Sequence, residues 1–345
     1  MARAAQGHTL DAVFLEEEWR LVIDAWGVTD AAAYRDLPRL GRRQRMPAAR
    51  RDSLWQLFAA VRADLAARGL MTRAAMFHRL ADHFATVPAP WDYVVVDEAQ
   101  DISVAELRFL SALAGAKPNG LFFAGDIGQR IFRAAFPWKA LGVDIQGRSR
   151  SLKVNYRTSR QIRSRSDRLL PSRLTESDGG EEDRRGVVSV FEGPPPEIRR
   201  FPDAAAESDA LGLWLVHLQK EGFAADEIGV LVRTIAQYPR ARDAIDFAGL
   251  DIAELVGSMG QARGKVSLAT MHQAKGMEFR AVAVLACDAR IIPNDERLLL
   301  ARDEASLDEI FATERHLLYV AATRARERLW LSGAGQVSEF LEDLT

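Results

Sequence analysis

The residues best suited to chemistry lie where an apolar run ends in a cluster of acids. Tyr93-Val94-Val95-Val96 predicts a short, fully buried strand, and Asp97 and Glu98 follow it at once. The carboxyl ends of parallel strands face ligand sites, so we expect both carboxylates there. Mg²⁺ takes one or two carboxylates in such sites, and a neighbouring Glu can accept a proton from an attacking water. The sequence therefore predicts Asp97 as a metal ligand and Glu98 as a general base. The alternative is a strand that ends in a polar turn.

Two further predicted strands end in polar residues. Leu121-Phe122-Phe123-Ala124 runs into Gly125-Asp126-Ile127-Gly128-Gln129, and residues 151–158 form a strand with the tip Asn155-Tyr156-Arg157-Thr158. Strands whose reactive side chains lie at the same end indicate an α/β sheet with a site along one edge.

Helices and loops must position these tips. Leu54, Leu57 and Phe58 predict a helix that Asp52-Ser53 caps and that ends before Gly69. A last long helix is expected over residues 307–328. The polar, Gly- and Pro-rich stretch 171–202 is expected to be an exposed loop or linker.

Composition excludes several classes of protein. The chain has 345 residues, 48% hydrophobic and 27% charged, with a net charge of −2, which is ordinary for a globular protein of two or three domains. It contains no apolar run near the roughly 18 residues of a membrane helix, and its start does not resemble a signal peptide. The single Cys287 fits a reducing compartment. We expect a cytoplasmic protein with no membrane partner.

The order of the motifs is more specific than any one of them. It resembles motifs II to VI of superfamily 1 DNA helicases of the UvrD/Rep/PcrA type, and the matching segments are Asp97-Glu98-Ala99-Gln100-Asp101, Gly125-Asp126-x-x-Gln129, Asn155-Tyr156-Arg157-Thr158, Thr270-Met271-His272-x-Ala274-Lys275-Gly276-Met277-Glu278-Phe279 and Leu318-Tyr319-Val320-Ala321-Ala322-Thr323-Arg324-Ala325. They cover residues 93–332 in the family's order.

This resemblance implies an ATP-driven 3′-to-5′ translocase that separates DNA strands, with ATP between two RecA-like domains. By it, Asp97 holds Mg²⁺ and Glu98 positions water, while Gln129, on the same domain, senses the γ-phosphate. Arg157 and Arg324 are similar to the family's two arginine fingers, both on the second domain. Planar guanidinium groups suit this role because they bind phosphate oxygens bidentately. The implied domains are a helical 1B-like region at 1–90, the C-terminal part of domain 1A at 91–148, and domain 2A without a large 2B insertion at 149–345.

The remaining implied contacts are to ribose and to DNA. Glu278 is similar to the ribose-binding acid of the family, and Thr270 and His272 to residues on its DNA track, which touch the backbone without reading sequence. Phe132 lies where the family has an aromatic platform, but the Trp expected two residues later is Ala134. Phe136 or Trp138 could replace it, with core packing as the alternative. The implied partners are single-stranded DNA and single/double-strand junctions.

The sequence departs from the family at motif I, because it has no P-loop of the form G-x-x-x-x-G-K-[ST]. The nearest string, Gly260-Gln261-Ala262-Arg263-Gly264-Lys265-Val266, has the wrong spacing. We therefore expect an N-terminally truncated helicase, whose P-loop comes from a missing segment or a protein partner, and no ATP hydrolysis by this chain alone. Two other hypotheses remain: a non-catalytic, helicase-derived DNA-binding or partner-docking protein, and the motor half of a helicase-nuclease assembly.

Overall fold

The computed structural model describes residues 12–37, 46–115, 117–126, 129, 136, 138–171, 173–175, 181–183, 186–255, 263–301 and 303–345. By its internal contacts the chain divides into two compact units. Unit 1 comprises Met1–Ile127, Phe132–Ser149 and Thr175–Gly180, and unit 2 comprises Gly128–Ile131, Arg150–Leu174 and Glu181–Thr345. Gln129 thus groups with unit 2, whereas the resemblance placed it on the domain of the acids.

Unit 1 begins with four helices, and no strand lies among the described residues before position 94. They are α1 Ala12–Glu18, which continues as a π-helix over Trp19–Asp24, α2 Ala31–Asp36, α3 Ala48–Ala67 and α4 Arg73–Phe84. The expected cap of α3 at Asp52-Ser53 is wrong. Pro47 precedes the first turn with φ −60°, a value already suited to a helix, and the Ser53 hydroxyl donates to Arg50 O inside α3. The predicted end before Gly69 is confirmed, since Gly69 has φ +64°.

A two-stranded parallel sheet follows in unit 1. β1 (Val94–Val96) pairs with β2 (Leu121–Phe123), and α5 (Val104–Ala114) connects them, with Ser103 and Glu106 forming its capping box. One face packs on a core that includes Leu107 and Trp138. The other face is open, so Val95 is 73% and Phe122 63% exposed. The prediction of fully buried strands is therefore wrong here, because within the described residues this sheet is covered on one face only.

Unit 2 is built on a six-stranded parallel sheet, whose strands are β7 Glu197–Phe201, β8 Ile228–Val232, β9 Ile252–Glu254, β10 Val266–Thr270, β11 Phe279–Val284 and β12 Ala325–Ala334. They lie side by side in the order β7-β12-β11-β8-β10-β9. Its helices are α6 Arg160–Ser166, α7 Ala204–Lys220, α8 Tyr238–Phe247, α9 Asp295–Leu298, α10 Glu304–Ala322 and α11 Glu339–Asp343. Two apolar cores cover the sheet, which explains why β8 is buried at every position.

Four further short strands precede β7 in the described part of the chain. β3 (Val154–Asn155) pairs in parallel with β6 (Val188–Ser189), while β4 spans Arg173–Thr175 and β5 spans Glu181–Asp183. The strand expected over residues 151–158 is therefore limited to two residues.

Two further expectations are corrected. The stretch 171–202 is not all loop, because β7 lies within it and pairs with β12 at the edge of the large sheet. The last long helix ends at Ala322 rather than 328, and Arg326 and Arg328 belong to β12. The pairing of β12 with β11, in which Arg328 lies opposite Ala281, outweighs the helical spacing of the apolar residues before β12.

The predicted α/β class with parallel sheets is confirmed. Among the described residues, no helix combines the length and the apolar composition that crossing a membrane requires.

Candidate functional site

The acidic end of β1 presents its two carboxylates to solvent. Asp97 and Glu98 are both exposed, and Asp97 Oδ1 accepts a hydrogen bond from Glu98 N at 2.8 Å. Glu98 lies in the left-handed region, with φ 52° and ψ 39°. A non-glycine residue there is uncommon and is found disproportionately at functional sites. The carboxyl end of β1 thus places two acids in the open, as the sequence predicted.

Sequence reasoning missed the residue that holds Glu98. Gln100 is buried, at 8% exposed, and its Nε2 donates to Glu98 Oε2. Its Oε1 accepts from Asp126 N, just beyond β2, at 3.0 Å. The two strand ends are therefore joined through one amide side chain. The sequence held one weak signal for Gln100: it is a polar member of the acidic motif to which no role had been assigned.

The donor set fits a magnesium ion. The described residues contain no cluster of three or more metal-ligating side chains, but Mg²⁺ is commonly bound by one or two carboxylates together with substrate phosphates. Asp97 commits Oδ1 to a backbone amide, and its exposed carboxylate has a second oxygen. Asp97 is therefore suitable as the single protein ligand of such an ion.

Unit 2 brings together two of the expected nucleotide contacts. Arg157 Nε donates to Glu278 Oε2 at 2.9 Å, and both side chains are nearly half exposed. Asn155 Oδ1 accepts from the backbone N–H groups of Arg157 and Thr158, at 2.8 and 3.1 Å. This turn fixes the backbone that carries Arg157. Tyr156, which sequence reasoning did not assign, is 72% exposed beside it.

The second expected arginine is buried. Arg324 is 1% exposed, and its NH2 group donates to Gln129 Oε1 at 2.7 Å. Its Nε donates to Val320 O at 3.0 Å and its NH1 group to Met277 O at 3.3 Å. Lys275 Nζ donates to the backbone carbonyl of Gln129 at 2.8 Å. Arg324 and Gln129 are thus direct partners within unit 2.

The loop after β10 carries the expected DNA contacts. Gln273 Oε1 accepts from Thr270 N at 2.8 Å, from the Thr270 hydroxyl at 3.0 Å and from the Tyr238 hydroxyl at 3.2 Å. The hydroxyl of Thr270 therefore stabilises its own turn. Gln273 and Tyr238 were not predicted from sequence, because neither belongs to a recognisable chemical pattern.

A buried ion pair supports the same region. Arg233 forms two 2.7 Å hydrogen bonds to Glu314, whose side chain is fully buried, and Arg297 adds a third at 2.9 Å. Burial opposes ionisation of Glu314, but hydrogen bonds and the charge of Arg233 outweigh it and lower its pKa. Burial and the charge of Arg233 lower the pKa of His272 to about 4. His272 is therefore neutral at neutral pH and can offer a ligand a hydrogen bond, not a full charge.

The expected aromatic platform is only partly visible. Phe132 and Ala134 lie outside the described residues. Trp138 is 6% exposed, and its ring centroid lies 4.7 Å from that of Phe123 in the core of unit 1. Core packing is therefore the role that the structure shows for Trp138.

Two family models match this chain. The UvrD/REP helicase N-terminal domain matches residues 56–137, and the UvrD-like helicase C-terminal domain matches residues 243–336. The chain belongs to the UvrD-like helicase family. The first match spans the acidic end of β1, and the second spans the loop after β10 together with Arg324. The α/β architecture of this chain agrees with the RecA-like fold of such helicases.

Curated relatives agree with the family. A probable DNA helicase of Mycoplasma pneumoniae is 27% identical over 251 residues, which is 69% of this chain and 43% of the relative. DNA helicase IV of Escherichia coli is 26% identical over 74% of this chain and 36% of its own length. The ATP-dependent DNA helicase PcrA of Bacillus subtilis is 35% identical over 86 residues, 24% of this chain and 11% of PcrA. The chain thus spans less than half the length of each of these relatives.

A solved structure, the C-terminal domain of a possible DNA helicase from Lactobacillus plantarum, covers 55% of this chain and 94% of its own at 20% identity. Its TM-score of 0.38 is too low to add to the family assignment.

Proposed function

We propose that this chain is the motor core of an ATP-dependent DNA helicase that moves 3′ to 5′ on single-stranded DNA. The observation that carries the proposal is that this member of the UvrD-like helicase family has candidate nucleotide-binding residues in both of its units. Exposed Asp97 and Glu98 end a parallel strand of unit 1, and unit 2 holds Arg157 with Glu278 and Arg324 with Gln129. Retention of these acids and arginines favours a nucleotide-driven machine, because a binding module has no need of them.

Asp97 and Glu98 have different roles in hydrolysis. A Mg²⁺ ion at Asp97 would neutralise charge on the β- and γ-phosphates. Glu98 orients the attacking water and accepts its proton, a role that suits an exposed carboxylate fixed by a neighbouring amide. Because phosphoryl transfer is catalysed mainly by positioning and charge, small shifts of these two groups have large effects on rate.

The arginines supply positive charge to the transferred phosphoryl group. Arg157 is half exposed and leaves Glu278 for phosphate oxygens when nucleotide binds, while Glu278 accepts from the ribose. Tyr156, exposed beside Arg157, offers a ring on which the adenine can stack. Arg324 is held by Gln129, and the γ-phosphate competes with Gln129 for its guanidinium. Release of Gln129 then transmits the nucleotide state to the segment around it.

DNA is held by contacts that do not read sequence. Neutral His272 donates a hydrogen bond to a backbone phosphate, and Thr270 does so by exchanging the bond of its hydroxyl to Gln273 for one to a phosphate oxygen. Phe132 is the proposed residue for base stacking. The phosphate cradle is absent from this sequence, and we propose that a segment outside it or a protein partner supplies that cradle. Hydrolysis by the chain alone is not expected, so the test must not depend on it.

The test is the affinity for single-stranded DNA with and without a non-hydrolysable ATP analogue and Mg²⁺. Fluorescence anisotropy of a labelled oligonucleotide should show binding that weakens with salt, and the nucleotide should change Kd at least threefold. The change should vanish in Arg157→Ala and Glu278→Ala. Arg199→Ala, a change of an exposed arginine on β7, is the matched control and should leave it intact.

The same measurement separates the alternative function, a non-catalytic DNA-binding or partner-docking protein. Such a protein would bind DNA with the same Kd at every nucleotide concentration up to the millimolar range. A chain that binds no single-stranded DNA in low salt would contradict the motor and the DNA-binding alternative, and it would favour partner docking.

A further inference from the structure

The side chain of Gln100 links two strand ends in unit 1. Its amide donates to Glu98 Oε2 on one side and accepts from Asp126 N, at 3.0 Å, on the other. The orientation of the amide is determined by these partners, because a flip would set its oxygen against the carboxylate and its NH₂ against an N–H donor. With 8% exposure, Gln100 has little water to replace either bond.

Gly125 leaves the space that this amide needs. A Cβ at position 125 would lie 2.4 Å from Gln100 Oε1 and 3.1 Å from Ala99 N. Any side chain at Gly125 would therefore displace Gln100 or push the backbone after β1 away from the end of β2. The backbone bond from Ala99 N to Ala124 O, at 2.8 Å, closes the same junction. The glycine and the buried glutamine thus form one packed unit.

We propose that Gln100 is a positioning residue that fixes the carboxylate of Glu98 relative to the end of β2. The inference rests on the proposed function, in which Glu98 is the base. A glutamate at the surface has several rotatable bonds, and a hydrogen bond to one oxygen removes most of that freedom while the other oxygen stays available to water. Because Asp126 N, just beyond β2, donates to Gln100, a shift of the backbone at the end of β2 moves Gln100 and with it the base.

Amide side chains are suited to this task because they present a donor and an acceptor together. A carboxylate at position 100 keeps the acceptor but repels Glu98, and a leucine loses both bonds. These two changes separate the halves of the link. Gly125→Ala disturbs the same link without altering the amide.

The experiment is NMR of the whole chain, labelled with ¹⁵N and with ¹³C at the glutamate carboxyls. In Gln100→Leu and Gly125→Ala, exchange of the Asp126 amide should become at least tenfold faster. In Gln100→Glu at neutral pH its protection should remain, while the carboxyl signal of Glu98 moves in all three variants. Gln56→Leu, a change of an exposed glutamine on α3, should leave both signals as in wild type.

The opposite results overturn the inference. Unchanged Asp126 exchange, or an unchanged Glu98 signal, in Gln100→Leu would show that the amide does not hold the base. Any ATP turnover of the wild-type chain should fall at least tenfold in Gln100→Leu, with nucleotide affinity within twofold of wild type, and an undiminished rate also overturns the inference. A wild type whose DNA affinity does not respond to nucleotide contradicts the proposed function, while the NMR signals still decide the placement of Glu98.

Discussion

The two arginines expected to touch phosphate should differ sharply in what they contribute to stability. Arg324 is 1% exposed and donates to Gln129 Oε1, Met277 O and Val320 O. Arg157 is half exposed, and its guanidinium donates to half-exposed Glu278. Replacement of each by Met, which has a similar length and no charge, tests the contrast.

The magnitude follows from the acceptors that lose a donor. After the replacement, Val320 O still accepts a hydrogen bond from the Thr323 hydroxyl at 3.1 Å. The acceptors that lose the donor of Arg324 are therefore mainly Gln129 Oε1 and Met277 O. A buried acceptor deprived of its partner costs about 1–3 kcal/mol, and part of this is recovered because a charge is no longer buried. We expect Arg324→Met to lower the free energy of unfolding by about 3 kcal/mol. Arg157→Met should lower it by less than about 1 kcal/mol, the usual value of an exposed ion pair.

Urea unfolding followed by circular dichroism measures both variants. Gln129→Leu and the double variant Gln129→Leu with Arg324→Met complete a cycle, and a coupling above about 1 kcal/mol is expected for partners in direct contact. Equal stabilities of the two arginine variants, or a coupling near zero, would refute the assignment of Arg324 as a structural as well as a functional group. Both single arginine variants should lose the effect of nucleotide on DNA affinity.

Three other outcomes follow from the site and its supports. The pKa of His272 is lowered from 6.5 to about 4, so between these pH values the unfolded state binds more protons, and the free energy of unfolding falls as the pH falls. In urea titrations, His272→Asn should reduce this fall between pH 7 and pH 4.5 by about 2–3 kcal/mol. Arg233→Met removes two hydrogen bonds to the buried carboxylate of Glu314 and leaves it paired with Arg297, so it should cost about 3 kcal/mol by the same assay. Arg290→Met, at an exposed pair, should leave the free energy of unfolding close to that of wild type. Trp138→Ala should cost about 3–5 kcal/mol as a core truncation and leave the single-stranded DNA affinity within twofold, since a larger loss of affinity would indicate base stacking instead.

Much of the architecture follows from local pattern. Ser103 and Glu106 form the capping box that starts α5, Gly69 ends α3 with a positive φ, and the apolar run at Ile228–Val232 is a strand with those bounds. In each case the relevant physics is confined to a few neighbouring residues, such as a cap, a left-handed backbone or a short apolar run rich in β-branched side chains. The same local information marked Asp97 and Glu98 as acids at a strand end.

Burial and partnership could not be predicted in this way. Tyr93 to Val96 and Leu121 to Phe123 have the composition of fully buried strands, yet Val95 and Phe122 are exposed because the described part of the chain covers one face of their sheet.

The sequence by itself determined the chemical identities and their order along the chain, because motifs are properties of residue type and spacing. It indicated the acids of unit 1 and the arginines of unit 2, and the family models agree with that order. Only the tertiary structure decided which groups meet: Gln100 with Glu98 and Asp126, and Arg324 with Gln129. Arg324 and Gln129 are far apart in the chain, and an amide such as that of Gln100 has no distinctive signature in the sequence. A hydrogen bond depends on distance and direction, which are fixed only when the elements pack.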